Sequence, residues 1–249
     1  MSVFQADADG ALNPAQSFIY YDGSGVVAGR QESAHIHQTR FIPREITSAS
    51  GIAGEWLLAS DLGCDSIHLY KLDNDSDTLF VEHAGIYCGT GSGPRHMEFS
   101  TIHGMLFCIT ELSGEIISWK IGAGPNGAPV FAETQRLKAD AVDAGGSADI
   151  HISADGRFLY TSHRLKNDGI ATFSIDSNGK LERVGYTQTG THPRNFLILP
   201  DGRTMLVAVR DSHQIEVYNI DPVTGVPTAT GQVQVFPSGN DPVCLILAK

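Results

Sequence analysis

Gly91-Ser92-Gly93-Pro94-Arg95-His96 is the stretch that decides the fold of this 249-residue chain. It returns in altered form as Gly190-Thr191-His192-Pro193-Arg194-Asn195, which places the two arginines 99 residues apart. In both copies a glycine-containing turn and a Pro-Arg pair stand in front of three short apolar segments, a pattern typical of consecutive β-strands. Because the chain repeats its own strand pattern, we interpret it first as a repeat protein.

A further match gives the length of the repeating unit. Ser147–Arg157 parallels Pro193–Arg203 with an offset of 46 residues, and each segment contains an Asp-Gly pair between two apolar strands. Asp-Gly between strands indicates a tight hairpin turn, and units of about 40–50 residues with four short strands are typical of a β-propeller. Helical periodicity is nearly absent. The sequence therefore predicts an all-β fold in which residues 1–249 form a single β-propeller domain of four-stranded blades.

Four units are recognisable in the sequence, and incomplete units flank them. Met1–Phe4 and Phe18–Tyr21 are predicted to be strands of an incomplete blade, while Gln232–Phe236 and Val243–Leu247 are predicted to begin one more unit. Pro43–Gly54 is polar and rich in Gly and Ser, so we expect a loop insertion there.

Composition excludes several classes of function. The formal net charge of −11 argues against nucleic acid as a partner, although local arginines leave room for an anionic ligand. The sequence has no run of 18 apolar residues, so we expect no contact with a membrane, and Met1–Gln5 lacks the features of a signal peptide. The widely spaced cysteines indicate reduced thiols in a cytoplasmic protein. They are Cys64, Cys88, Cys108 and Cys244.

A series of segments carries a resemblance to a known family. The segments are Gln31–Gln38, Asp61–Ile67, Gly91–His96, Thr110–Ser113, Ser147–Tyr160, Ser162–Arg164, Gly190–Phe196 and Pro200–Gly202. In this order they resemble the lactonase-type seven-bladed β-propeller family, which includes 6-phosphogluconolactonases and carboxy-cis,cis-muconate cyclases. The resemblance covers nearly the whole chain and is specific for the family rather than for one substrate.

The length departs from the pattern of that family. At 40–50 residues per blade a seven-bladed ring needs roughly 320 residues or more, whereas this chain has 249. We therefore expect a partial, about five-bladed version of the ring that is N-terminally incomplete relative to the family. A smaller closed ring is the alternative, since an open ring has unpaired strand edges that favour aggregation.

The repeated positions predict a shared pocket. The innermost strands of a propeller line its central channel, so residues at the starts of successive inner strands converge although they are far apart in sequence. This brings His37, Arg95 and Arg194 together. A single arginine there would more often cap a turn at the rim. Two Pro-Arg pairs in equivalent places favour an anion site, because the planar guanidinium group fits a carboxylate or a phosphate.

Two histidines alternate across one residue in the first inner strand. His35 and His37 would face the same side of a strand, and such a pair could bind a metal ion. No third ligand stands at a useful spacing, so we expect neither a metal nor a cofactor. The alternative is that one histidine is structural and the other is a general acid or base.

The resemblance implies a set of catalytic residues. The His, Arg, Glu and Arg of the family correspond to His37, Arg95, Glu111 and Arg194. Substrate binding is expected from Arg95 and Arg194, with Arg164 and His96 as further candidates. Asp149 is predicted either to hold one of the two repeated arginines through a charge-assisted hydrogen bond or only to close a turn.

These residues lead to a hypothesis about the reaction. The chain is predicted to hydrolyse a small anionic, sugar-derived and phosphorylated lactone, as a 6-phosphogluconolactonase does. His37, alone or together with Glu111, would transfer protons, and the arginines would bind the anion. A lactone-forming, carboxy-cis,cis-muconate cyclase-like enzyme is an alternative, because arginine binds a dicarboxylate equally well. The other alternative is a non-catalytic propeller that serves as an interaction platform. Neither the particular lactone nor any protein partner follows from the sequence.

Overall fold

Antiparallel β-sheets dominate the computed structural model, which describes residues 1–76, 79–237 and 240–247. In these ranges four sheets follow one another along the chain, and each is built from four consecutive strands. A separate two-stranded sheet precedes them. This arrangement confirms the predicted all-β propeller, and the described part is a partial ring of four complete blades and one two-stranded piece.

The strands are distributed as follows. The two-stranded piece contains β1 (Ser2–Val3) and β2 (Ser17–Phe18). Blade 1 contains β3 (Ile36–Phe41), β4 (Trp56–Asp61), β5 (Ser66–Leu72) and β6 (Phe80–Tyr87). Blade 2 contains β7 (Pro94–Ser100), β8 (Met105–Thr110), β9 (Glu115–Ala123) and β10 (Pro129–Lys138). Blade 3 contains β11 (Ser147–Ile152), β12 (Phe158–His163), β13 (Gly169–Ile175) and β14 (Leu181–Gln188). Blade 4 contains β15 (Pro193–Ile198), β16 (Thr204–Val209), β17 (Gln214–Ile220) and β18 (Pro227–Val235).

The second strand of each blade is the most buried. β4, β8 and β12 are buried along their whole length, and a strand covered on both faces is a nearly continuous apolar run. The outermost strands β6 and β10 are mostly exposed. Apolar side chains between neighbouring blades form the core, and Trp56 and Leu58 of blade 1 join one cluster with Leu106 and Trp119 of blade 2.

The segment predicted as a loop insertion contains a helix instead. Within Pro43–Gly54, residues Arg44–Ser50 form α1. The helix ends at Gly51, whose left-handed backbone (φ 72°) provides a C-terminal cap. Ile46 is 1% exposed and anchors the helix on the core. The prediction of a loop was wrong because a single buried apolar residue among small polar ones does not produce a visible helical period.

The N-terminal strands are present in a shorter form than predicted. Met1–Phe4 contains only β1, and β2 begins one residue before the predicted Phe18–Tyr21 and covers its first residue. The pairing continues beyond the strands, because the Ile19 N–H donates to the Met1 carbonyl oxygen over 2.8 Å. The structure therefore confirms two short strands in this part of the chain, and they pair with each other.

The C-terminal prediction needs a correction. Gln232–Phe236 does not begin a new unit, because residues 232–235 belong to β18 and complete blade 4. Val243–Leu247 is not a strand in the described ranges. A strand requires a neighbouring backbone, whereas here the Leu245 N–H donates to the side-chain oxygen of Asn195 over 2.7 Å. The apolar character of the segment was therefore a misleading signal.

Two observations bear on the composition. In the described ranges no helix is both long and apolar enough to cross a membrane. The four cysteines are free thiols, and Cys88 and Cys108 are buried in the core. Burial raises the pKa of Cys108 to about 12, so this thiol stays protonated and packs as a small apolar group.

The glycine loops in front of the inner strands are held by carboxylates of the protein itself. Asp65, in the turn after β4, accepts the N–H groups of Gly91 (2.7 Å) and Gly93 (2.8 Å). In the second copy of the motif Asp168, in the turn after β12, accepts the N–H of His192 over 3.0 Å. Each carboxylate thus ties one blade to the loop that begins the next.

Gly63 provides a test of how tightly the chain entering blade 1 is packed. A Cβ atom on this residue would lie 1.9 Å from the carbonyl oxygen of Ser33. We expect Gly63→Ala to lower the free energy of unfolding by about 1–3 kcal/mol through overpacking. Gly122→Ala is the matched control, since its Cβ would meet only the Val130 side chain at 3.7 Å, and it should change stability by less than about 0.5 kcal/mol. Urea unfolding measures both, and equal losses would contradict this packing.

Candidate active site

The three residues predicted to converge occupy one structural position. His37, Arg95 and Arg194 are each the second residue of an inner strand, and a register shift makes each the extra residue of a β-bulge. In blade 3 the bulge contains Ala148 at the corresponding place. A bulge increases the local twist and redirects the side chain. Because β11 packs between β7 and β15, and β3 packs on β7, the redirected side chains approach one another at one end of the channel.

A buried carboxylate is the centre of this cluster. Glu111 Oε2 accepts the Nε–H of Arg95 over 2.8 Å and an Nη2–H of Arg164 over 3.0 Å. Its Oε1 atom accepts an Nη2–H of Arg30. The Glu111 side chain is 8% exposed and that of Arg95 only 2%, so both lie below the surface of the protein.

These charges control one another's protonation. Burial alone would raise the pKa of Glu111, but the guanidinium groups of Arg164 and Arg95 and the hydrogen bond from Arg30 hold it below its usual value. Burial and the neighbouring charge of Arg164 lower the pKa of Arg95 to about 10, which still leaves it protonated at neutral pH. Glu111 is therefore an anion, and hydrogen bonds from arginines already occupy both of its oxygens.

Arg164 is fixed by the neighbouring blade as well as by Glu111. Its Nε–H donates to the carbonyl oxygen of Gly146 over 2.8 Å, and its Nη1–H lies 3.0 Å from Nε2 of His192. Burial, followed by the charge of Arg164, lowers the pKa of His192 to about 4. The neutral His192 ring thus accepts from Arg164, while its Nδ1 atom lies 3.2 Å from a carboxylate oxygen of Asp211.

Arg194 differs from the other arginines of the cluster. It is half-buried, and among residues 1–76, 79–237 and 240–247 its guanidinium group has no hydrogen bond or ion pair. Its charge nevertheless acts on the cluster: burial first, and then the charges of neighbouring groups including Arg194, lower the pKa of His37 and of Arg164. Arg194 therefore lies beside the cluster, and within the described part of the chain its donors are available.

His37 lies beside His96 at the same end of the channel. The two rings meet edge to face with centroids 4.9 Å apart. The Nδ1 atom of His37 is buried, and within the described part of the chain no hydrogen-bond partner reaches it. Burial and the charge of Arg95 lower the pKa of His37 to about 3, so the ring is neutral at neutral pH.

The expected same-face pair of histidines does not form. β3 begins at Ile36, so His35 lies outside the strand, and the bulge at His37 interrupts the alternation of side chains. His35 is exposed, and its backbone N–H donates to Oδ1 of Asp61 over 2.8 Å. The prediction that the two histidines face the same side of a strand was therefore wrong, because the alternation of residues in a sequence does not reveal a β-bulge.

Asp149 has different partners from those predicted. Its Oδ1 atom lies 2.6 Å from Nδ1 of His96, and its Oδ2 atom lies 3.1 Å from Nε2 of His151. The side-chain amide of Asn195 also donates to Oδ2 over 2.5 Å. In the described ranges the carboxylate contacts neither of the two repeated arginines, so the prediction that it holds one of them was wrong.

Deeper in the channel the charges continue to alternate. His151 Nδ1 lies 3.4 Å from Oε2 of Glu98, and Arg40 Nη1 lies 2.9 Å from Oε1 of the same residue. Burial alone would lower the pKa of His151, but the charge and hydrogen bond of Asp149, together with Glu98, raise it to about 10. A protonated histidine between two carboxylates therefore joins blades 2 and 3, and Arg40 extends the series of charges to blade 1.

The structure adds residues that sequence reasoning missed. Arg30 lies in a glycine-rich segment without periodicity, so nothing in the sequence indicated that it reaches Glu111. His192 belongs to the second copy of the motif itself, and its place directly before the Pro-Arg pair was a usable signal. The pairing of His96 with Asp149 joins two blades, and a repeat pattern does not reveal contacts between repeats.

Fold and site together define a class of protein. It is a β-propeller whose inner-strand bulges gather arginine, histidine and glutamate side chains at one end of the central channel. Residues 1–246 match the family described as lactonase, 7-bladed beta-propeller. The chain belongs to this family, as its sequence motifs predicted.

Three relatives show the extent of the match. A 6-phosphogluconolactonase of Formosa agariphila is 37% identical over 230 residues, which cover 90% of this chain and 62% of that protein. The crystal structure of a putative 6-phosphogluconolactonase from Bacteroides fragilis has a TM-score of 0.86 and 37% identity, over 98% of this chain and 66% of that one. The periplasmic gluconolactonase of Pseudomonas aeruginosa has a TM-score of 0.81 and 30% identity, over 93% and 62%. The chain thus spans less than two thirds of their length.

Glu111→Gln tests the buried ion cluster. We expect it to lower the free energy of unfolding by about 3–5 kcal/mol, because Arg95 and Arg164 lose their buried counter-charge. Glu133→Gln is the control, since Glu133 pairs with Arg136 at the surface and such pairs contribute less than about 1 kcal/mol. Urea unfolding at neutral pH measures both changes. Similar losses for the two variants would show that Glu111 is not the centre of the cluster.

The pH dependence of stability gives a second test of Glu111. A carboxylate whose folded-state pKa is depressed contributes stability that is present above its unfolded pKa and is lost as the pH falls through the folded pKa. The stability difference between the unmodified protein and Glu111→Gln should therefore stay constant down to the usual glutamate value of 4.5 and shrink below it. A difference that grows on acidification would contradict the lowered pKa.

Proposed function

We propose that this protein hydrolyses a sugar-derived lactone that carries a phosphate group, as a 6-phosphogluconolactonase does. The observation that carries the proposal is the excess of positive charge at the channel end. The guanidinium groups of Arg30, Arg95 and Arg164 surround the Glu111 carboxylate. A fourth, that of Arg194, lies near enough for its charge to lower the pKa of Arg95. In a chain with a formal net charge of −11, such a cluster favours the recognition of an anion.

The arginines have different tasks in the proposed reaction. Arg194 has free donors within the described part of the chain and binds the phosphate, because its planar fork can make two parallel hydrogen bonds. Arg95 is held by Glu111 and is almost fully buried. A fixed charge of this kind can stabilise the oxyanion that develops on the lactone carbonyl without having to reorient during the reaction.

The neutral imidazole rings beside the arginines are suited to the proton transfer that hydrolysis requires. Hydrolysis requires that a water molecule lose a proton as it attacks the carbonyl carbon. The rings of His37 and His96 are both neutral at neutral pH, since burial and the charge of Arg95 lower their pKa values. The proposed function therefore uses an imidazole, His37 in the sequence-based assignment, for proton transfer and the arginines for binding and charge stabilisation.

The names of the relatives support the reaction class. Two of them are named 6-phosphogluconolactonase or putative 6-phosphogluconolactonase, and the third is named periplasmic gluconolactonase. All three names refer to an enzyme that acts on a sugar lactone, but only two of them refer to a phosphorylated one. The substrate of this chain therefore has to be tested with and without phosphate, and a cytoplasmic location remains a prediction.

Arg194→Ala is the variant that tests the anion site. On 6-phosphogluconolactone we expect KM to rise about 10- to 100-fold, because a lost charged hydrogen bond costs about 1.5–3 kcal/mol. On the uncharged gluconolactone KM should change by less than about threefold, since no phosphate contact is lost. Arg203→Ala is the matched control, because this exposed arginine follows the Asp-Gly turn at the opposite end of blade 4. Acid release in a pH-stat, corrected for spontaneous opening, measures the rates.

The outcomes separate the alternatives. Equal effects of Arg194→Ala on both lactones would show that Arg194 does not bind the phosphate. Absence of turnover by a well-folded chain would favour the interaction platform. Ring closure of a muconate-type dicarboxylate, without hydrolysis of either sugar lactone, would favour the cyclase-like alternative.

A further inference from the structure

We propose that His96 is the general base that activates the hydrolytic water, and that Asp149 is the residue that positions it. The inference rests on the proposed lactone hydrolysis and assigns its proton acceptor. His96 lies on β7 and Asp149 on β11, so the pair exists only where blades 2 and 3 meet.

The contact between the two side chains fixes the tautomer of His96. An ionised carboxylate can only accept hydrogen bonds, so Nδ1 of His96 carries the proton that it shares with Asp149 Oδ1 over 2.6 Å. The neutral ring then has its lone pair on Nε2. This arrangement, a carboxylate behind one ring nitrogen and a lone pair on the other, is how proteins orient a histidine base.

Asp149 is itself held from several directions. The backbone N–H of Ile150 donates to Oδ1 over 3.0 Å, and that of Phe196 donates to Oδ2 over 3.2 Å. Oδ2 also receives the Asn195 amide and lies 3.1 Å from Nε2 of the protonated His151. With both oxygens engaged, the carboxylate cannot rotate, and the His96 ring is fixed with it.

The His96 side chain is 18% exposed, which gives water access to the ring. Nε2 lies 3.4 Å from Nη1 of Arg95, and the ring of His37 packs edge to face against it. A hydrogen bond of that length is weak, and it leaves the lone pair able to accept a proton from a water molecule beside the arginine cluster.

The other candidate bases are less suited to the task. Arginines donate to both oxygens of Glu111. Nothing within the described ranges bonds to Nδ1 of His37, so no contact there fixes its tautomer. His163 is buried with both ring nitrogens on hydroxyl groups. His192 also has a carboxylate, that of Asp211, at its Nδ1 atom, but its Nε2 atom accepts from Arg164 over 3.0 Å. The corresponding contact of His96 Nε2 with Arg95 is longer, at 3.4 Å.

The proposed step conserves atoms and charge. His96 Nε2 takes one proton from water while the hydroxyl oxygen forms a bond to the lactone carbonyl carbon, and the carbonyl oxygen becomes an oxyanion. When the carbonyl re-forms, the bond to the ring oxygen breaks, and the imidazolium returns its proton to that oxygen. The products are an open-chain hydroxy acid and the neutral His96 ring, so no further reactant is needed.

The charges around His96 define the expected pH profile. Arg95 on β7 and His37 on β3 face the ring, while Asp149 and the protonated His151 approach from β11. Burial, with Arg95 and His151, lowers the pKa of His96 more than Asp149 raises it. The base is therefore unprotonated at neutral pH, and kcat/KM should fall only on acidification below the usual range of histidine.

His96→Gln tests the catalytic role, since its amide can still donate to Asp149. We expect kcat on 6-phosphogluconolactone to fall at least about 100-fold, with KM changed less than about threefold and the acid limb of the pH profile lost. His103→Gln is the matched control, because His103 bonds to Ser100 in the turn at the opposite end of blade 2 and its loss should leave kcat unchanged. His96→Gln with kcat within fivefold of the unmodified protein would overturn the proposal.

Two further variants separate catalysis from structural support. Added imidazole should restore part of the activity of His96→Gly, which a merely structural histidine would not allow. Asp149→Asn should lower kcat and move the acid limb to lower pH, because the negative charge that raises the pKa of His96 is removed. Absence of imidazole rescue together with an unshifted acid limb in Asp149→Asn would overturn the assignment.

A measurement without substrate distinguishes this inference from the proposed function. Nuclear magnetic resonance of protein labelled with ¹⁵N in its histidine rings should show His96 as the Nδ1–H tautomer, with that proton lost from its position in Asp149→Asn. An Nε2–H tautomer would overturn the pair even if the chain hydrolyses lactones. An inactive chain with the expected tautomer would overturn the proposed function, and the catalytic role with it, while the pair itself would stand.

Discussion

The carboxylate of Glu111 is the interaction on which the candidate site depends. It brings together Arg30 from the segment before blade 1, Arg95 from blade 2 and Arg164 from blade 3. Guanidinium groups this close would repel one another in a buried place, and a central negative charge offsets both the repulsion and part of the cost of burial. The same contact therefore joins adjacent blades and gathers positive charge at the end of the channel. The stability of the cluster and the proposed recognition of an anion therefore have one physical origin.

The β-bulge connects this cluster to the repeat in the sequence. Every inner strand has an extra residue at the same place, and the residue there is histidine, arginine, alanine or arginine in blades 1 to 4. For this reason the repeated Pro-Arg pairs predicted convergence correctly, although the residues are far apart in sequence. The hairpin turns and the strand periodicity predicted the blades for the same reason: both signals are local and recur in each unit.

Contacts between repeats cannot be predicted from local sequence patterns. Asp149 pairs with His96 and His151 rather than with an arginine. Neighbouring inner strands determine its surroundings, and no local sequence pattern shows how far one strand is shifted along the next. Arg30 reaches Glu111 from a segment that has no regular structure. The helix at Arg44–Ser50 was missed because one buried apolar side chain, Ile46, is too weak a periodic signal. The sequence thus predicted positions within a blade but not the partners across blades.

The glycine loops decide how an external anion has to be bound. A glycine-rich loop before a strand can bind a phosphate through its backbone N–H groups, but Asp65 already accepts those of Gly91 and Gly93. In the second copy Glu216 and Asp168 occupy the corresponding donors. The backbone donors that these carboxylates fill are closed to a ligand, so recognition falls to side chains. Glu111 and the neighbouring blades already hold Arg95 and Arg164, which leaves Arg194, with its donors free in the described part of the chain, as the arginine best placed to meet the anion.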